Sequence, residues 1–545
     1  MTFMAVPSAA SGRLAVARRA GRGAGALLRR HWLLAVLLAA GLILRILAQA
    51  AYRPALIFSD SIRYLQRSGG NDPLGYRVLL KPVLLVGNLD MVAAVQHLLG
   101  LGMAVALYIL LLRRGAPRPL AALATAPVLL DAYQVQIEQS IMSDVLFETL
   151  IVAGLVILLW DRAPRPWMVA AGGFALGSSA TVREVGQILI LPAALYLLVA
   201  VRGWRRGLRQ AAVLCAAFLL PILAYCTTSY AVTGHFQLAN QGTNELYGRV
   251  VLAADCHAVQ LPADERPLCP TRQYALQLGI DNLVHSPKSP LRDFRPPGPG
   301  TSAIAADFTQ RVFWQDPAGV VAAIGRDALR LFALTRVTSP GGTPIARWQF
   351  QTAYPTYQHV SLRTVRAAGQ RFGGGGPAVS RPLAAFLRAY QLDGGYTPGP
   401  LLALAALAGL AGSAGVLRRR RLRDPDPAAD SGADSGDDRG PGPGDDRDHD
   451  LGDPAASAAA RDARRDLSAA CLLCFAVAVT LLLTSDAFEF SWRYQLPALI
   501  TLPPAGALGI LAVIGARAGR RRGRAGHEVT AEPARSALPG SSPVS

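Results

Sequence analysis

The chain has 545 residues, 51% of them hydrophobic and only 17% charged, with a formal net charge of +19. A water-soluble chain of this length carries more charge and spreads its apolar residues, whereas here they stand in blocks near the roughly 20 residues that cross a bilayer. Nucleic acid is excluded as the reason for the basic surplus: Arg18-Arg19, Arg29-Arg30, Arg113-Arg114, Arg205-Arg206, Arg418 to Arg421 and Arg520 to Arg522 all border hydrophobic blocks, as in the cytoplasmic loops of membrane proteins.

A basic arm, 1–31, leads to a first span, Trp32 to Ala51. It is longer than the roughly 7 to 15 apolar residues of a signal-peptide core, so it reads as a retained helix. An outer loop, 52–90, follows. Its second half, 76–89, is apolar with Arg77 and Lys81 and is expected to lie flat in the interface. Spans two to seven are predicted at 91–112, 120–135, 141–160, 167–181, 185–201 and 211–230. The fifth and sixth form a hairpin with Arg183-Glu184 at its tip. In the outer segment, 231–396, the stretch 316–336 predicts an amphipathic helix with Val320, Ile324, Ala328 and Leu331 on one face. The eighth span, 400–417, stops at Arg418 to Arg421. Asp, Gly, Pro and Ala dominate 424–465, the composition of a disordered linker. The ninth span, 467–484, and the tenth, 496–514, precede a basic tail.

The fold expected is therefore an all-α polytopic membrane protein with about ten transmembrane helices. Its parts are a basic cytoplasmic arm (1–31), a seven-helix module (32–230), an extracytoplasmic segment (231–396), one helix (397–417), a disordered cytoplasmic linker (418–466), two helices (467–516) and a disordered basic tail (517–545). Both termini fall in the cytoplasm and the chain in the plasma membrane. The bias to Ala, Gly, Arg and Pro matches a GC-rich, actinobacterial kind of genome. Cys256 and Cys269 share the outer segment, where oxidation is permitted, and are expected to pair. Cys215, Cys226, Cys471 and Cys474 lie in spans and read as small packing residues.

Ionisable groups near a bilayer are costly, so each asks for a reason. In this topology they gather outside. Asp60 stands just past the first span, with Tyr76, Arg77 and Lys81 later in the same loop. Glu138 and Asp144 flank the fourth span. Arg183 and Glu184 cap the hairpin. Arg493 and Tyr494 precede the tenth span, after Asp486 and Glu489. Arginines there oppose the positive-inside preference, and a lipid phosphate would hold them through the planar guanidinium fork. The chemistry this permits is glycosyl transfer from a lipid-linked sugar, since nucleotide sugars are not expected outside. A carboxylate would deprotonate the acceptor hydroxyl, and cations or a metal would stabilise the departing phosphate. Asp60 is the expected base, with Glu138 as a second catalytic carboxylate. Arg77, Arg183, Arg493 and Tyr494 are the expected phosphate contacts. Asp144, Glu184 and Tyr76 are further cavity positions. Arg63 and Lys81 read as headgroup contacts, and Trp348, Tyr354 and Tyr357 as packing on the membrane surface rather than sugar platforms.

These features resemble the C-type glycosyltransferase (GT-C) superfamily, which includes protein O-mannosyltransferases and lipid A aminoarabinose transferases. The likeness lies in an acid after the first span (Phe58-Ser59-Asp60-Ser61), a seven-helix opening module, and a late Arg493-Tyr494-Gln495-Leu496-Pro497 before a final span. Leu246-Tyr247-Gly248-Arg249, Ala254-Asp255-Cys256 and Leu268-Cys269-Pro270 look like actinobacterial phospholipid-carrier-dependent glycosyltransferases. The resemblance implies a polyprenyl-phosphate sugar donor, inverting single displacement, an extracytoplasmic acceptor (wall glycan, glycolipid or protein), and a first-loop acid acting as base or ligand to a divalent cation such as Mg or Mn. Many members carry two adjacent acids in that loop. Ser59-Asp60-Ser61 has one, leaving Asp60 to act alone or with Glu138. The alternatives are a transporter or lipid-linked saccharide flippase, a non-enzymatic envelope-assembly protein, and a polysaccharide polymerase or ligase.

Overall fold

A computed structural model describes residues 28–66, 73–239, 244–293, 301–357, 360–417 and 454–528. The expected basic arm (1–27 of it), the linker over 418–453 and the tail over 529–545 lie outside the described residues. The first span is helix α1, Trp32–Ala51. A short helix α2, Ser59–Gln66, carries Asp60 in its first turn. The apolar part of the first loop forms α3, Arg77–Val86, with Val78, Leu85 and Val86 exposed. Helix α4, Leu89–Arg113, starts where the Asn88 side chain accepts from the Met91 amide at 3.0 Å.

The predicted third span is not one rod. It divides into α5, Arg118–Leu123, α6, Ala126–Leu130, and α7, Ala132–Gln139. Pro127 near the start of α6 has no N–H to continue the ladder, and Asp131 adopts extended backbone and caps α7 by accepting from the Tyr133 amide. The break frees carbonyls at the end of α6, and the Arg45 guanidinium from α1 takes those of Val128 and Leu129 at 2.9 Å each.

Helix α8 spans Asp144–Leu158 and α9 Pro166–Val182; a 3-10 turn, Glu184–Leu189, leads into α10, Ile190–Ala200. The hairpin with Arg183 at its bend is therefore present. The seventh span is longer than expected: α11 runs Trp204–Thr233 and ends on Gly234, whose left-handed backbone lets its amide reach the Tyr230 carbonyl at 2.8 Å. A side chain at Gly177 of α9 would collide with the backbone of Phe218 on α11, so glycine sets how closely these two helices pack.

The insert is helical throughout most of its length. It comprises α12, Asn244–Ala253, α13, Arg272–His285, α14, Pro290–Asp293, α15, Thr301–Gln315, α16, Pro317–Leu329, α17, Leu362–Phe372, and α18, Arg381–Leu392. Asp316 caps α16, the predicted amphipathic helix. Tyr247, Leu283, Phe308 and Val312 form a separate small core, and a disulfide joins Cys256 to Cys269.

Three long helices close the fold: α19, Gly399–Leu417, α20, Pro454–Phe488, and α21, Leu496–Glu528. Two expectations of disorder are corrected here. Residues 454–466 form the first turns of α20, and 517–528 continue α21. Both stretches are rich in Ala and Arg, which favour helix. Asp466 and Asp462 anchor the start of α20 to Arg114 and Arg202. Among the described residues six helices are long and apolar enough to cross a membrane; α8, α9, α10 and the broken α5–α7 stretch are shorter. The chain is an all-α polytopic membrane protein.

Candidate active site

The first loop is fastened before it reaches Asp60. Tyr52–Arg53 pairs antiparallel with Ala378–Val379 of the insert. Leu56 then exchanges backbone hydrogen bonds with Gln139 (3.0 Å) and Ile141 (2.9 Å) beside α8. The Ser61 hydroxyl accepts from the Phe58 amide and donates to the Ile141 carbonyl, and the Tyr64 hydroxyl bonds to Ser143 at 3.0 Å. These contacts fix α2 against the start of α8 and bring Asp60 near Asp144.

Arg493 reaches both acids from the turn between α20 and α21. Its Nη1 donates to Asp60 at 2.8 Å and its Nε and Nη2 to Asp144 at 2.9 Å. Arg183, from the hairpin bend, donates to Asp144 at 2.5 Å, and Arg63 donates to Asp60 at 2.7 Å. Three guanidiniums thus share two carboxylates. Tyr494 lies under this group, its ring 4.9 Å from the Arg183 guanidinium and 5.5 Å from that of Arg493. Burial works against the charged form of Asp60, but Arg493 and Arg63 outweigh it and hold the carboxyl down at about 2.

The cluster borders a cavity of about 1020 Å³ at the insert-bearing end of the bundle. Asp60, Arg63, Arg183, Glu184, Arg493 and Tyr494 line it, and Asp144 lies behind the arginines. The insert supplies a further part of its lining, and Trp348 lies against the cluster, its ring 5.4 Å from the Arg493 guanidinium. Trp348, Tyr354 and Tyr357, expected to pack on the membrane surface, line this cavity instead. Phe58 ties that wall to the first loop through ring contacts of 5.0 Å to Trp348 and 4.6 Å to Tyr357. Trp348 Nε1 also donates to Ser491 at 2.9 Å. The insert is latched beside it. Arg336 forms two hydrogen bonds to Asp131, at 2.6 and 3.1 Å, and its guanidinium is ringed by Tyr133, Tyr396 and Trp492 at 4.5 to 5.2 Å.

Three expected site residues stand elsewhere. Glu138 is fully buried and does not reach the cavity, because Arg45 takes both of its oxygens at 2.7 Å and His97 Nδ1 lies 3.0 Å from one of them. Tyr76 is also fully buried; its hydroxyl donates to Gln96 at 2.7 Å and its ring meets Tyr64. Arg77 begins α3 and is not among the cavity-lining residues. Conversely, Arg63, read as a headgroup contact, belongs to the cluster. Arg45, Asp281, His285 and Arg347 went unnoticed. Arg45 sits inside an apolar span, which was signal enough to mark it, whereas the three insert residues lie in sequence whose fold gave no period to read.

A divalent cation does not fit this arrangement. Asp60 and Asp144 each already face two guanidiniums, and a hard cation would need those oxygens free.

No protein family and no curated protein matches the chain. Solved structures similar to it include the Saccharomyces cerevisiae protein O-mannosyltransferase Pmt1–Pmt2 complex bound to its sugar donor, at 15% identity and TM-score 0.31, over 40% of this chain and 36% of that one. Another is the archaeal oligosaccharyltransferase AglB from Archaeoglobus fulgidus with an inhibitory peptide and dolichol phosphate, at 14% identity and TM-score 0.35, over 94% of this chain and 53% of that one. A third is ArnT from Cupriavidus metallidurans bound to undecaprenyl phosphate, at 13% identity and TM-score 0.30, over 87% and 77%. The chain spans 36% and 53% of the length of the first two.

Proposed function

We propose that this protein is a membrane glycosyltransferase that moves a sugar from a polyprenyl-phosphate donor to an acceptor on the outer side of the plasma membrane, with inversion. The observation that carries this is a cluster of three guanidiniums on two carboxylates, Asp60 and Asp144, at the wall of a large cavity that aromatic side chains also line. Arg493 and Arg183 present planar donors suited to a phosphate, and the departing phosphate gains charge during transfer, so they bind it more tightly as the bond breaks. Tyr354 and Tyr357 offer faces for the sugar. Asp60 holds Arg493 in place until the phosphate arrives. With its carboxyl held at about 2 by Arg493 and Arg63, it is a weak base.

Two observations support the orientation. The Cys256–Cys269 disulfide in the insert favours an oxidising compartment. Arg114, paired with Asp466, and Arg465, bonded to the Val199 carbonyl, gather at the end of the bundle away from the insert, as cytoplasmic arginines do.

The test is donor profiling. Purified protein is incubated with radiolabelled undecaprenyl-phosphate mannose, undecaprenyl-phosphate glucose and decaprenyl-phosphate arabinose. Consumption of at least one, with a new glycosidic bond or free sugar, is expected. Movement of a donor across liposome membranes without bond cleavage would mark a flippase instead.

A further inference from the structure

The cavity also holds carboxylates outside the arginine cluster, Glu489 among them. Glu489 is the first residue past α20 and lies four positions before Arg493. It is 8% exposed and lines the main cavity beside Asp281, His285 and Arg347. Its Oε1 accepts from the Thr343 hydroxyl at 2.5 Å. A second cavity of about 420 Å³ opens within the insert, lined by 276–279, 338–342 and Pro344, and it shares Asp281, Thr343, Arg347 and Glu489 with the first. Arg493 and Asp60 line only the larger one. Glu489 therefore stands where a phosphate-binding chamber meets a chamber built by the insert alone.

The titratable and charged groups around Glu489 come from three elements: Asp281 and His285 on α13, Arg347 in the turn after Pro344, and the neutral Tyr494 next to Arg493. Burial and then the charge of Asp281 push the Glu489 carboxyl up, while Thr343 and Arg347 pull it down, for a net rise to about 7.

We propose that Glu489 is the base for the acceptor in the glycosyl transfer proposed above, with the insert chamber as the acceptor's way in. The ionised Glu489 takes the proton of the acceptor hydroxyl while that oxygen's electron pair forms the bond to the sugar's anomeric carbon. The bond from that carbon to the phosphate oxygen breaks, and its electrons leave with the polyprenyl phosphate. One negative charge disappears from Glu489 and one appears on the phosphate, where Arg493 and Arg183 receive it.

The experiment uses full-length protein in nanodiscs, the three labelled donors above, and water and octyl mannoside as acceptors. Glu489→Gln is expected to lower kcat by about 10²-fold or more while donor KM stays within about threefold. Wild-type kcat is expected to rise with pH through about 7. Thr343→Val, which removes a hydrogen bond that lowers the Glu489 pKa, is expected to shift that rise to higher pH; it keeps the carboxylate and gives a second readout if Glu489→Gln fails to fold. A Glu489→Gln protein with near wild-type kcat, or a pH profile that Thr343→Val leaves in place, overturns the assignment while the transferase reading stands. A wild type that neither binds nor consumes any donor overturns both.

Discussion

Two clusters of arginine and carboxylate stand in this bundle, and they differ in what is left over. Around Glu138, every donor of Arg45 is used: Nε and one Nη2 hydrogen on the carboxylate, the rest on the carbonyls of Gly41, Val128 and Leu129. The cluster is sealed, its cation 2% exposed and its anion 0%. Around Asp60 and Asp144, Arg493 spends only three of a guanidinium's five N–H groups, on two acids that two more arginines also hold. One cluster is closed off from the cavity, with every donor of its arginine spent. The other sets three arginines on two carboxylates at the wall of a cavity. A buried charge in a membrane bundle asks for an explanation, but only unspent donors beside open space point to a ligand.

That contrast makes opposite predictions for its two arms. The largest effect is expected at the open cluster. Arg493→Met should lower donor turnover by about 10³-fold, because it removes the donor that meets the phosphate as its charge grows, while the thermal unfolding midpoint moves little by comparison. Retention of turnover would reduce this cluster to a second structural lock. At the sealed cluster the balance reverses. Glu138→Ala strands the Arg45 guanidinium in the bundle and should cost about 3–5 kcal/mol of stability, read as a fall in the unfolding midpoint in detergent. If it instead left stability intact and removed activity, Glu138 would return to the chemistry.

A pH series sharpens the comparison further. The Asp60 carboxyl is held at about 2, below the ordinary value of roughly 3.9. The stability its pairing contributes is therefore complete above about pH 4 and is lost as pH falls toward 2. The expected size is about 2 kcal/mol, from a shift of nearly two units. Unfolding midpoints measured from pH 6 down to pH 2.5 should show this acid loss in wild type and a shallower one in Asp60→Asn. Identical slopes would mean that the arginines do not hold Asp60 in solution.

The contrast also shows what could be read from the sequence. The six long apolar helices were legible, because about 20 apolar residues between arginine clusters leave few alternatives. That Asp60, Asp144, Arg183, Glu184, Arg493 and Tyr494 lie together was legible for the same reason: they are polar groups at helix ends that the topology places on one side. Glu138 met that criterion too and was misplaced. Its partner Arg45 lies 93 residues away in the middle of α1, and nothing local distinguishes a carboxylate facing a cavity from one facing a buried arginine. The break of the third span was hidden similarly, since its freed carbonyls are satisfied by that same distant guanidinium. The insert was least legible. Its helices are short and half-buried against one another, so their periods are mixed, and the junction of Asp281, Thr343 and Arg347 with Glu489 exists only once the chain is folded.

The smallest expected effect tests where the open cluster ends. Arg63 is 31% exposed and touches Asp60 from the same short helix, three residues on. Pairs this accessible are worth about 0.2–1 kcal/mol, so Arg63→Ala should lower the unfolding midpoint only slightly. Its loss also removes one of the two charges that depress Asp60, so the acid loss of stability should begin at a higher pH than in wild type. Donor affinity, measured by titrating a labelled polyprenyl phosphate, should weaken less than about tenfold, because Arg493 and Arg183 remain. A loss as large as that of Arg493→Met would extend the phosphate site to Arg63 and make α2, rather than the turn before α21, the element that the donor meets first.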